Sequence, residues 1–337
     1  SGRVVGRLYA LSTLGSIAGT FAAGFLLIPF VGSIRTLYII AGSLFALSIL
    51  IGGFSIRRSQ IATIALLALG IAATEIEAYY LISKYNLIDI DTEYSRVRIF
   101  DTTDLRTGRP MRAMSIDPDY VQSARFLDGD DLALEYTKFY HLARHFKPDL
   151  RETLMIGGAG FSFPQDYLRQ HPDVRIDVVE IDPQMSELAA KNFDLVPNER
   201  LRIFHEDGRV FLNNAPKARY DAVLMDAFGS LFSIPFQLTT IEAVREIRKT
   251  LNADGVVIVN IGTAVTGQGS RFLEAECATY RAVFENVLIV KVRPVTPNDA
   301  VQNVMLIASA RPLSGYIEPM PDMLRHGLID LIPPSDT

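Results

Sequence analysis

Residues 154–160 (LMIGGAG) and 176–182 (IDVVEID) constrain the fold of this chain more than any other part of its sequence. An apolar run ends in a glycine cluster, a helical pattern follows, and a second apolar run ends in Glu180. A strand, a glycine turn, a helix and a second strand with a carboxylate roughly 20 residues on are typical of a Rossmann-type unit. The sequence therefore predicts an open α/β sheet.

The glycines and the carboxylate suggest a ligand. Glycine is needed where backbone must approach a ligand closely, which makes Gly157 and Gly158 candidate binding residues. A carboxylate at the tip of the second strand can accept both hydroxyls of a ribose, and we predict this role for Glu180. A tight strand-to-helix turn with no ligand explains the glycine cluster alone equally well.

Acidic residues follow two further predicted strands. Residues 201–204 lead into Glu206, Asp207 and Gly208, and 220–225 lead into Asp226. Open α/β sheets bind ligands beyond the carboxyl ends of their strands, so these side chains and Glu180 share one rim. Carboxylates attract a cationic sulfonium and disfavour the second phosphate of a dinucleotide. The rim therefore favours S-adenosylmethionine or a close relative over NAD.

The N-terminal part of the chain predicts membrane helices. Among 337 residues, of which 49% are hydrophobic, 8–31 and 36–56 contain no charged residue. Each run is long enough to cross a bilayer as a helix, so we expect at least two spans and contact with membrane lipid. Buried helices of a soluble core are the alternative, although such helices normally keep a polar face. The second run excludes a cleaved signal peptide.

A third apolar run, 61–73, is shorter than a comfortable membrane span and is followed by Glu75 and Glu77. It is expected to cross, to tilt or to lie in the headgroup region. The arginines outside the first two spans place both outer ends in the cytoplasm. A third complete span would put the rest of the chain outside, where adenosyl donors are absent. We therefore expect a cytoplasmic catalytic domain, with a third run that does not cross cleanly or with further spans before Ser1.

Several classes of function are disfavoured by composition. A net charge of −5 without basic stretches argues against nucleic acid as a partner. The single Cys277 cannot form an intrachain disulfide. The histidines have no metal-ligand spacing with cysteines, so no metal site is predicted. Four of the five are His141, His145, His171 and His205.

The remaining pattern predicts the domain organisation. Two strands, 94–100 and 111–116, joined by a turn at 104–108, predict a small β-hairpin lid. A helix over 132–146, a helix over 240–251 closed by 252–255, and strands at 256–261, 287–292 and 304–308 complete a Rossmann-like seven-stranded sheet of the methyltransferase type, with an antiparallel final pair. The expected domains are a membrane segment (1–84), a lid (85–130), a catalytic domain (131–315) and a C-terminal tail (316–337).

Taken together, these motifs resemble the spermidine synthases, the polyamine aminopropyltransferases. The resemblance covers about 91–310, and the first span resembles bacterial proteins in which a membrane region is fused to such a domain. Its segments are TEYSRV at 92–97, VQS at 121–123, Tyr136, IGG at 156–158, VEID at 179–182, EDG at 206–208 and the strand 221–226.

The resemblance implies transfer of an aminopropyl group from decarboxylated S-adenosylmethionine to an amine, with methylthioadenosine as by-product. It implies that Asp226 orients the amine and accepts its proton. Gln122 would contact the nucleoside or its tail, Asp207 with the adjoining Gly208 would bind the adenine side, and Tyr136 and Tyr94 would contact the amine. A second copy of the chain is a candidate partner in a homodimer.

Two positions depart from the family pattern. The family has an aspartate in the glycine turn, where this chain has Gly160 and Phe161, and another three residues after the catalytic aspartate, where 227–230 contain none. Each lost charge-assisted contact is worth about 1.5–3 kcal/mol. The departures leave three hypotheses: an aminopropyltransferase with an altered acceptor, a methyltransferase that uses intact S-adenosylmethionine, and a non-catalytic nucleoside-binding domain of a membrane transporter.

Overall fold

A computed structural model describes residues 2–52, 58–116, 120–227, 234–311 and 328–329. The chain divides into two compact units, 1–100 and 101–337. This division falls inside a strand, and the four domain boundaries expected from the sequence stay predictions.

Long apolar helices form the N-terminal unit. Helix α1 (Gly2–Ala22) continues through a π-helical turn (Ala23–Leu27) into α2 (Ile28–Val31), and α3 (Ser33–Gly52) follows. The π-helical turn lies just before Pro29, which has no backbone N–H to donate. Three helical stretches, 2–31, 33–51 and 60–85, are long and apolar enough to cross a membrane.

The third stretch is longer than expected. Helix α4 (Arg58–Tyr85) continues through Glu75 and Glu77, both of which are exposed. Glutamate is a good helix former, so the charges that end the apolar run do not end the helix. Residues 60–85 span about 39 Å at 1.5 Å per residue, more than the ~30 Å hydrocarbon core. The prediction that this run is too short for a comfortable span was therefore wrong.

Polar contacts tie the helices of this unit together. The hydroxyl of Tyr38 on α3 contacts that of Thr74 on α4. The Asp91 carboxylate accepts hydrogen bonds from the backbone N–H of Ser33, at 2.7 Å, and from its hydroxyl, at 3.0 Å. A carboxylate at this position satisfies a free N–H of the first turn of α3 and interacts favourably with its dipole.

A small antiparallel sheet precedes the main sheet. Its strands are β1 (Ile88–Asp91), β2 (Arg96–Thr103), β3 (Pro110–Ser115) and β4 (Ser123–Phe126), with β1 paired to β2 and β3 to β4. The turn after β2 closes with the Gly108 N–H donating to the Asp104 carbonyl at 2.8 Å. The hairpin prediction was right about β2 and β3. It missed β1 and β4, which are only four residues long.

The main sheet follows the predicted pattern. Its strands are β5 (Glu152–Ile156), β6 (Arg175–Val179), β7 (Leu201–Phe204), β8 (Tyr220–Met225), β9 (Leu251–Thr263), β10 (Asn286–Lys291), β11 (Gln302–Ser309) and β12 (Leu328–Ile329). The order is β12-β10-β11-β9-β8-β5-β6-β7. Strands β7, β6, β5, β8 and β9 are parallel, whereas β11 and β10 are antiparallel to their neighbours. The expected antiparallel final pair is confirmed, and β12 adds two residues at its edge.

Helices cover both faces of this sheet. They are α5 (Leu142–Phe146), α6 (Ser162–Gln170), α7 (Pro183–Asn192), α8 (Gly208–Asn214), α9 (Ile241–Thr250) and α10 (Arg271–Arg281). Two apolar clusters form, one on each face, and the parallel strands alternate between them: Met155 belongs to one and Ile156 to the other. Burial on both faces explains why these strands read as continuous apolar runs.

Two local predictions were wrong. The helix expected over 132–146 is a 3₁₀ helix (Glu135–His141) followed by the short α5, and this tighter winding buries Tyr136 and Tyr140. Residues 252–255, expected as a turn, belong to β9, which begins directly after α9 with an irregular register against β8. The predicted tail, 316–337, lies outside the described residues except for β12.

Candidate active site

The glycine turn after β5 has a left-handed backbone and little room for side chains. Gly157 has a φ of 97°, and a Cβ atom there would lie 2.3 Å from the backbone oxygen of Asp226. Both the dihedral angle and the close approach require glycine. Ala159 and Phe161 also have positive φ values, 43° and 54°. Strain of this kind persists where the surrounding structure imposes it, often at ligand-binding sites.

Glu180 fastens this turn from the end of β6. Its Oε2 accepts hydrogen bonds from the N–H groups of Gly158, at 2.9 Å, and Ala159, at 3.0 Å, and its Oε1 accepts from Asp182 N–H at 3.1 Å. Glu180, which the sequence predicts to bind a ribose, is thus buried beside the glycine turn, and its hydrogen bonds determine the shape of the turn. A carboxylate has about four lone-pair sites, so these three bonds leave capacity for a ligand hydroxyl.

Asp226 lies directly after β8, at the same rim. Its N–H donates to the Ile156 carbonyl at 2.8 Å. Its Oδ2 accepts from the Tyr136 hydroxyl at 3.1 Å, and its Oδ1 accepts from the Asn260 amide at 3.2 Å. Within the described part of the chain, no lysine or arginine forms an ion pair with this carboxylate. Its neighbours are neutral hydrogen-bond donors.

The surroundings of Asp226 change its affinity for protons. Loss of hydration raises the pKa of its carboxyl group to about 6, and the hydrogen bonds from Asn260 and Tyr136 limit the rise. A base whose pKa lies near neutral pH can take a proton and release it again. Asp226 therefore has the chemistry of a general base.

A narrow crevice brings several predicted residues together. Gln122, Tyr136, Gly158 and Asp226 line it, although they are far apart in sequence. Tyr136 donates to Asp226 and also lies 3.4 Å from the Gln122 carbonyl. The side-chain nitrogen of Gln122 is buried and has no hydrogen-bond partner among the described residues. It is a donor that a bound ligand can satisfy.

Asp207 and Gly208 have structural roles of their own. Asp207 caps α8, because its Oδ1 accepts from the N–H groups of Arg209, at 2.8 Å, and Val210, at 3.0 Å. A Cβ atom on Gly208 would lie 2.6 Å from the side chain of Ile156. The contacts of these two residues with adenine stay predictions. So does the role of Tyr94, which belongs to the N-terminal unit and is 52% exposed.

Packing accounts for one departure from the family pattern. A Cβ atom on Gly160 would lie 2.4 Å from the Ser123 hydroxyl and 3.1 Å from the ring of Phe193. An aspartate cannot occupy this position unless Ser123 moves. The other departure, over 227–230, lies outside the described residues except for Ala227.

Residues that were not predicted extend the site. Asn303 donates to the side-chain oxygen of Asn260 at 3.0 Å, and Asn260 in turn donates to Asp226. Tyr140 donates to the Met225 carbonyl at 2.9 Å, which holds the strand end beneath Asp226. One signal could have identified Asn260: it is the only polar side chain in the apolar run 256–261.

A glycine turn braced by a buried glutamate lies beside Asp226, which has no cationic partner among the described residues. Both lie at the carboxyl rim of a Rossmann-like sheet, where open α/β sheets bind ligands. The family profile described as the spermine/spermidine synthase domain matches residues 134–300. That part of the chain is similar to the spermine/spermidine synthase family.

Curated relatives agree with this assignment. A polyamine aminopropyltransferase from Vibrio vulnificus is 30% identical over 195 residues, which cover 57% of this chain and 62% of the relative. One from Pyrobaculum calidifontis is 29% identical over 179 residues, 51% of this chain and 58% of the relative. The chain thus spans about six tenths of the length of these two relatives.

Solved structures share the fold. A probable spermidine synthase from Corynebacterium glutamicum has a TM-score of 0.56 at 22% identity, with 64% of this chain and 77% of that chain covered. A spermidine synthase in complex with the transition-state analogue AdoDATO has a TM-score of 0.55 at 17% identity, covering 72% of this chain and 78% of that chain. These similarities are evidence for the fold.

Proposed function

We propose that this protein is an aminopropyltransferase that moves the aminopropyl group of decarboxylated S-adenosylmethionine to a small-molecule amine. The observation that carries the proposal is the uncompensated carboxylate of Asp226, beside the glycine turn and with a pKa near 6. An ionised group without a cationic partner is costly to bury. The Asp226 carboxylate therefore suits a site whose substrates are positively charged, because such substrates supply the missing partner.

The reaction needs a nucleophilic nitrogen. The lone pair of the neutral amine attacks the carbon next to the sulfonium, and the electrons of the broken carbon–sulfur bond pass to sulfur. Methylthioadenosine leaves as a neutral thioether, and the nitrogen, now positively charged, gives up a proton. Asp226 accepts this proton, and Tyr136 and Asn260 hold its carboxylate in a fixed orientation.

The remaining roles divide between donor and acceptor. Glu180 binds the ribose while it braces the turn, Gln122 contacts the donor through its free amide N–H, and Gly157 and Gly158 let the donor approach the backbone. Asp207 and Gly208 lie on the adenine side. Tyr136 contacts the attacking amine, since it shares a hydrogen bond with Asp226.

Product analysis tests the proposal. The full chain, purified in detergent, is incubated with decarboxylated S-adenosylmethionine and a panel of amines, and products are followed by mass spectrometry. We expect methylthioadenosine and an amine heavier by one aminopropyl group, in equal amounts. Asp226→Asn removes the base but keeps the size of the side chain, and it should lower both signals at least about a hundredfold.

Two outcomes would contradict the proposal. Formation of a methylated product from intact S-adenosylmethionine, without aminopropyl transfer, would identify a methyltransferase. Binding of the nucleoside with no transfer to any amine would favour a non-catalytic domain. Glu180→Gln separates binding from chemistry, because it should weaken donor binding without changing the proton acceptor.

We place the catalytic domain in the cytoplasm, where adenosyl donors are made, and anchor it through α1, α3 and α4. With three spans, this location conflicts with Arg3 and Arg7 near the start of α1, which the positive-inside rule also assigns to the cytoplasm. A reporter fused after Thr337 distinguishes the two orientations. Fluorescence of a green fluorescent protein fusion without activity of an alkaline phosphatase fusion is the expected result.

A further inference from the structure

A second, larger pocket adjoins the crevice that contains Asp226. Its volume is about 360 Å³, within the range of small-molecule sites. Tyr136 lines both cavities, and Asn303, which lines the larger one, is linked to Asp226 through Asn260. An amine presented to Asp226 would extend the rest of its molecule into this space.

The charges around this pocket are unlike those expected for a polycationic acceptor. Among its described lining residues, Glu135 is the one carboxylate and Arg293 the one cation. Glu135 Oε2 accepts from Arg293 Nε at 2.9 Å, and Glu135 Oε1 accepts from Arg106 Nη1 at 3.4 Å. Two guanidinium groups therefore share a single carboxylate, and the group of three carries a net positive charge.

Arg293 is available to a ligand in this arrangement. Its side chain is 59% exposed, and it bonds to Glu135 through Nε alone. Its two terminal nitrogens have no partner among the described residues, and a guanidinium presents its donors in a planar fork that matches a carboxylate. An ammonium group placed beside Arg293 would instead be repelled.

The lining also contains an unused acceptor. Gln302 donates its amide nitrogen to the carbonyls of Pro297 and Ala300, but its Oε1 is buried without a partner in the described part of the chain. A ligand ammonium would satisfy this oxygen. A carboxylate partner and an ammonium partner in one pocket match the two ends of an α-amino acid.

Tyr120 connects this pocket with the reaction centre. Burial raises the pKa of its phenol, the charge of Asp226 raises it further, and the charge of Arg293 opposes both. Both charges therefore act on one side chain of the lining. The contacts agree, because the Asn303 amide donates to the Tyr120 hydroxyl at 3.4 Å and to Asn260 at 3.0 Å, and Asn260 donates to Asp226 at 3.2 Å.

We infer that the acceptor is an α-amino acid whose side chain ends in an amine, with its carboxylate bound by Arg293 and its α-ammonium near Gln302. The inference rests on the proposed aminopropyl transfer. The terminal amine meets Asp226 and attacks the donor carbon; the carbon–sulfur electrons leave with methylthioadenosine, and the proton passes to Asp226. Arg293 is then a specificity-determining residue for this reaction.

Matched pairs of acceptors test the inference. Lysine and 1,5-diaminopentane differ only in the carboxylate, as do ornithine and 1,4-diaminobutane. With the full chain and decarboxylated S-adenosylmethionine, kcat/KM should be about tenfold higher for the amino acid of each pair, the smaller end of the range for a charge-assisted contact at an exposed site. Arg293→Gln should remove this preference.

Arg311→Gln is the matched control. Arg311 is 60% exposed and pairs with Asp254 at 3.3 Å, away from the lining of this pocket. Arg311 and Arg293 are about equally exposed, and each makes a surface ion pair. Because Arg311 does not line the pocket, its replacement should leave kcat/KM unchanged for all four amines. An equal effect of the two substitutions would mean that Arg293 acts only through general charge or stability, and would overturn the inference.

Failure of the inference and failure of the proposed function give different results. Transfer to the diamines at rates equal to or above those of the amino acids overturns the inference and leaves aminopropyl transfer intact. Calorimetry of the same four amines reports on the pocket even without turnover. Tighter binding of each amino acid that depends on Arg293 supports the inference, and equal or weaker binding overturns it.

Discussion

Asp177 and Asp226 are two carboxylates of one sheet with opposite environments. Asp177 lies inside β6 and is 2% exposed. It accepts two hydrogen bonds from Arg202, at 2.6 and 2.7 Å, and one from the Tyr220 hydroxyl at 2.8 Å. Its charge is thus compensated within the protein.

Asp226, at the end of β8, has neutral donors instead, and loss of hydration raises the pKa of its carboxyl group to about 6. Breaking a buried ion pair is destabilising, whereas a buried carboxylate without a cationic partner is itself held at a cost in stability. Asp177 is paired inside the sheet, whereas Asp226 lies without a cationic partner at the carboxyl rim. A cationic ligand can supply that partner there.

The largest expected effect is on catalysis. Asp226→Asn should lower kcat about 10²–10⁴-fold, because it removes a general base. Asp177→Asn should change kcat by less than about threefold, since Asp177 lies away from the rim. Release of methylthioadenosine measures both variants. Comparable losses in the two would remove the functional distinction between these aspartates.

A smaller effect is expected on stability. Asp177→Asn leaves Arg202 without its partner and should lower the free energy of unfolding by about 2 kcal/mol, less than the roughly 3–5 kcal/mol for a fully buried pair because Arg202 is half exposed. Thermal unfolding of the full chain in detergent measures the change. An unaltered midpoint would show that this ion pair contributes nothing.

Asp226→Asn should instead raise the free energy of unfolding. The folded state raises the pKa of this acid above the ordinary value of 3.8, so its ionisation costs stability as pH rises from about 4 to 6. Asparagine does not ionise, and the variant should be about 3 kcal/mol more stable than the native chain at pH 8. The two should converge below pH 4, so an advantage that persists at pH 4 would point to another cause.

The smallest effect concerns the pH profile. The native kcat/KM should fall tenfold per pH unit below about pH 6, as Asp226 becomes protonated. Asn260→Ala removes a hydrogen bond to the ionised form and should move this acid limb upward by about half a unit. A limb that stays in place would exclude Asp226 as the titrating group.

Much of the fold follows from local patterns. Strands that are buried on both faces need continuous apolar runs, which is why β5, β6 and β8 were predicted close to their observed bounds. The 3₁₀ winding of 135–141 could not be predicted in this way. It depends on where the hydroxyls of Tyr136 and Tyr140 find acceptors, and both acceptors lie at the end of β8.

The residues of the site likewise divide into those that local sequence indicates and those that only the fold brings together. Local sequence identified Glu180 and Asp226, because each follows directly after a strand whose direction places it at the rim. It did not identify the pocket that contains Glu135 and Arg293, which are separated by 158 positions. Nothing in the neighbourhood of either residue in sequence indicates the other.

The sequence by itself determined the apolar N-terminal helices, the glycine turn and the succession of acidic strand ends, because each depends on residues within about ten positions of one another. Only the tertiary structure decided which carboxylate has a cationic partner, how strongly its proton is held and what charge faces the acceptor. Those properties depend on desolvation and on contacts between distant segments, and both arise only when the chain packs.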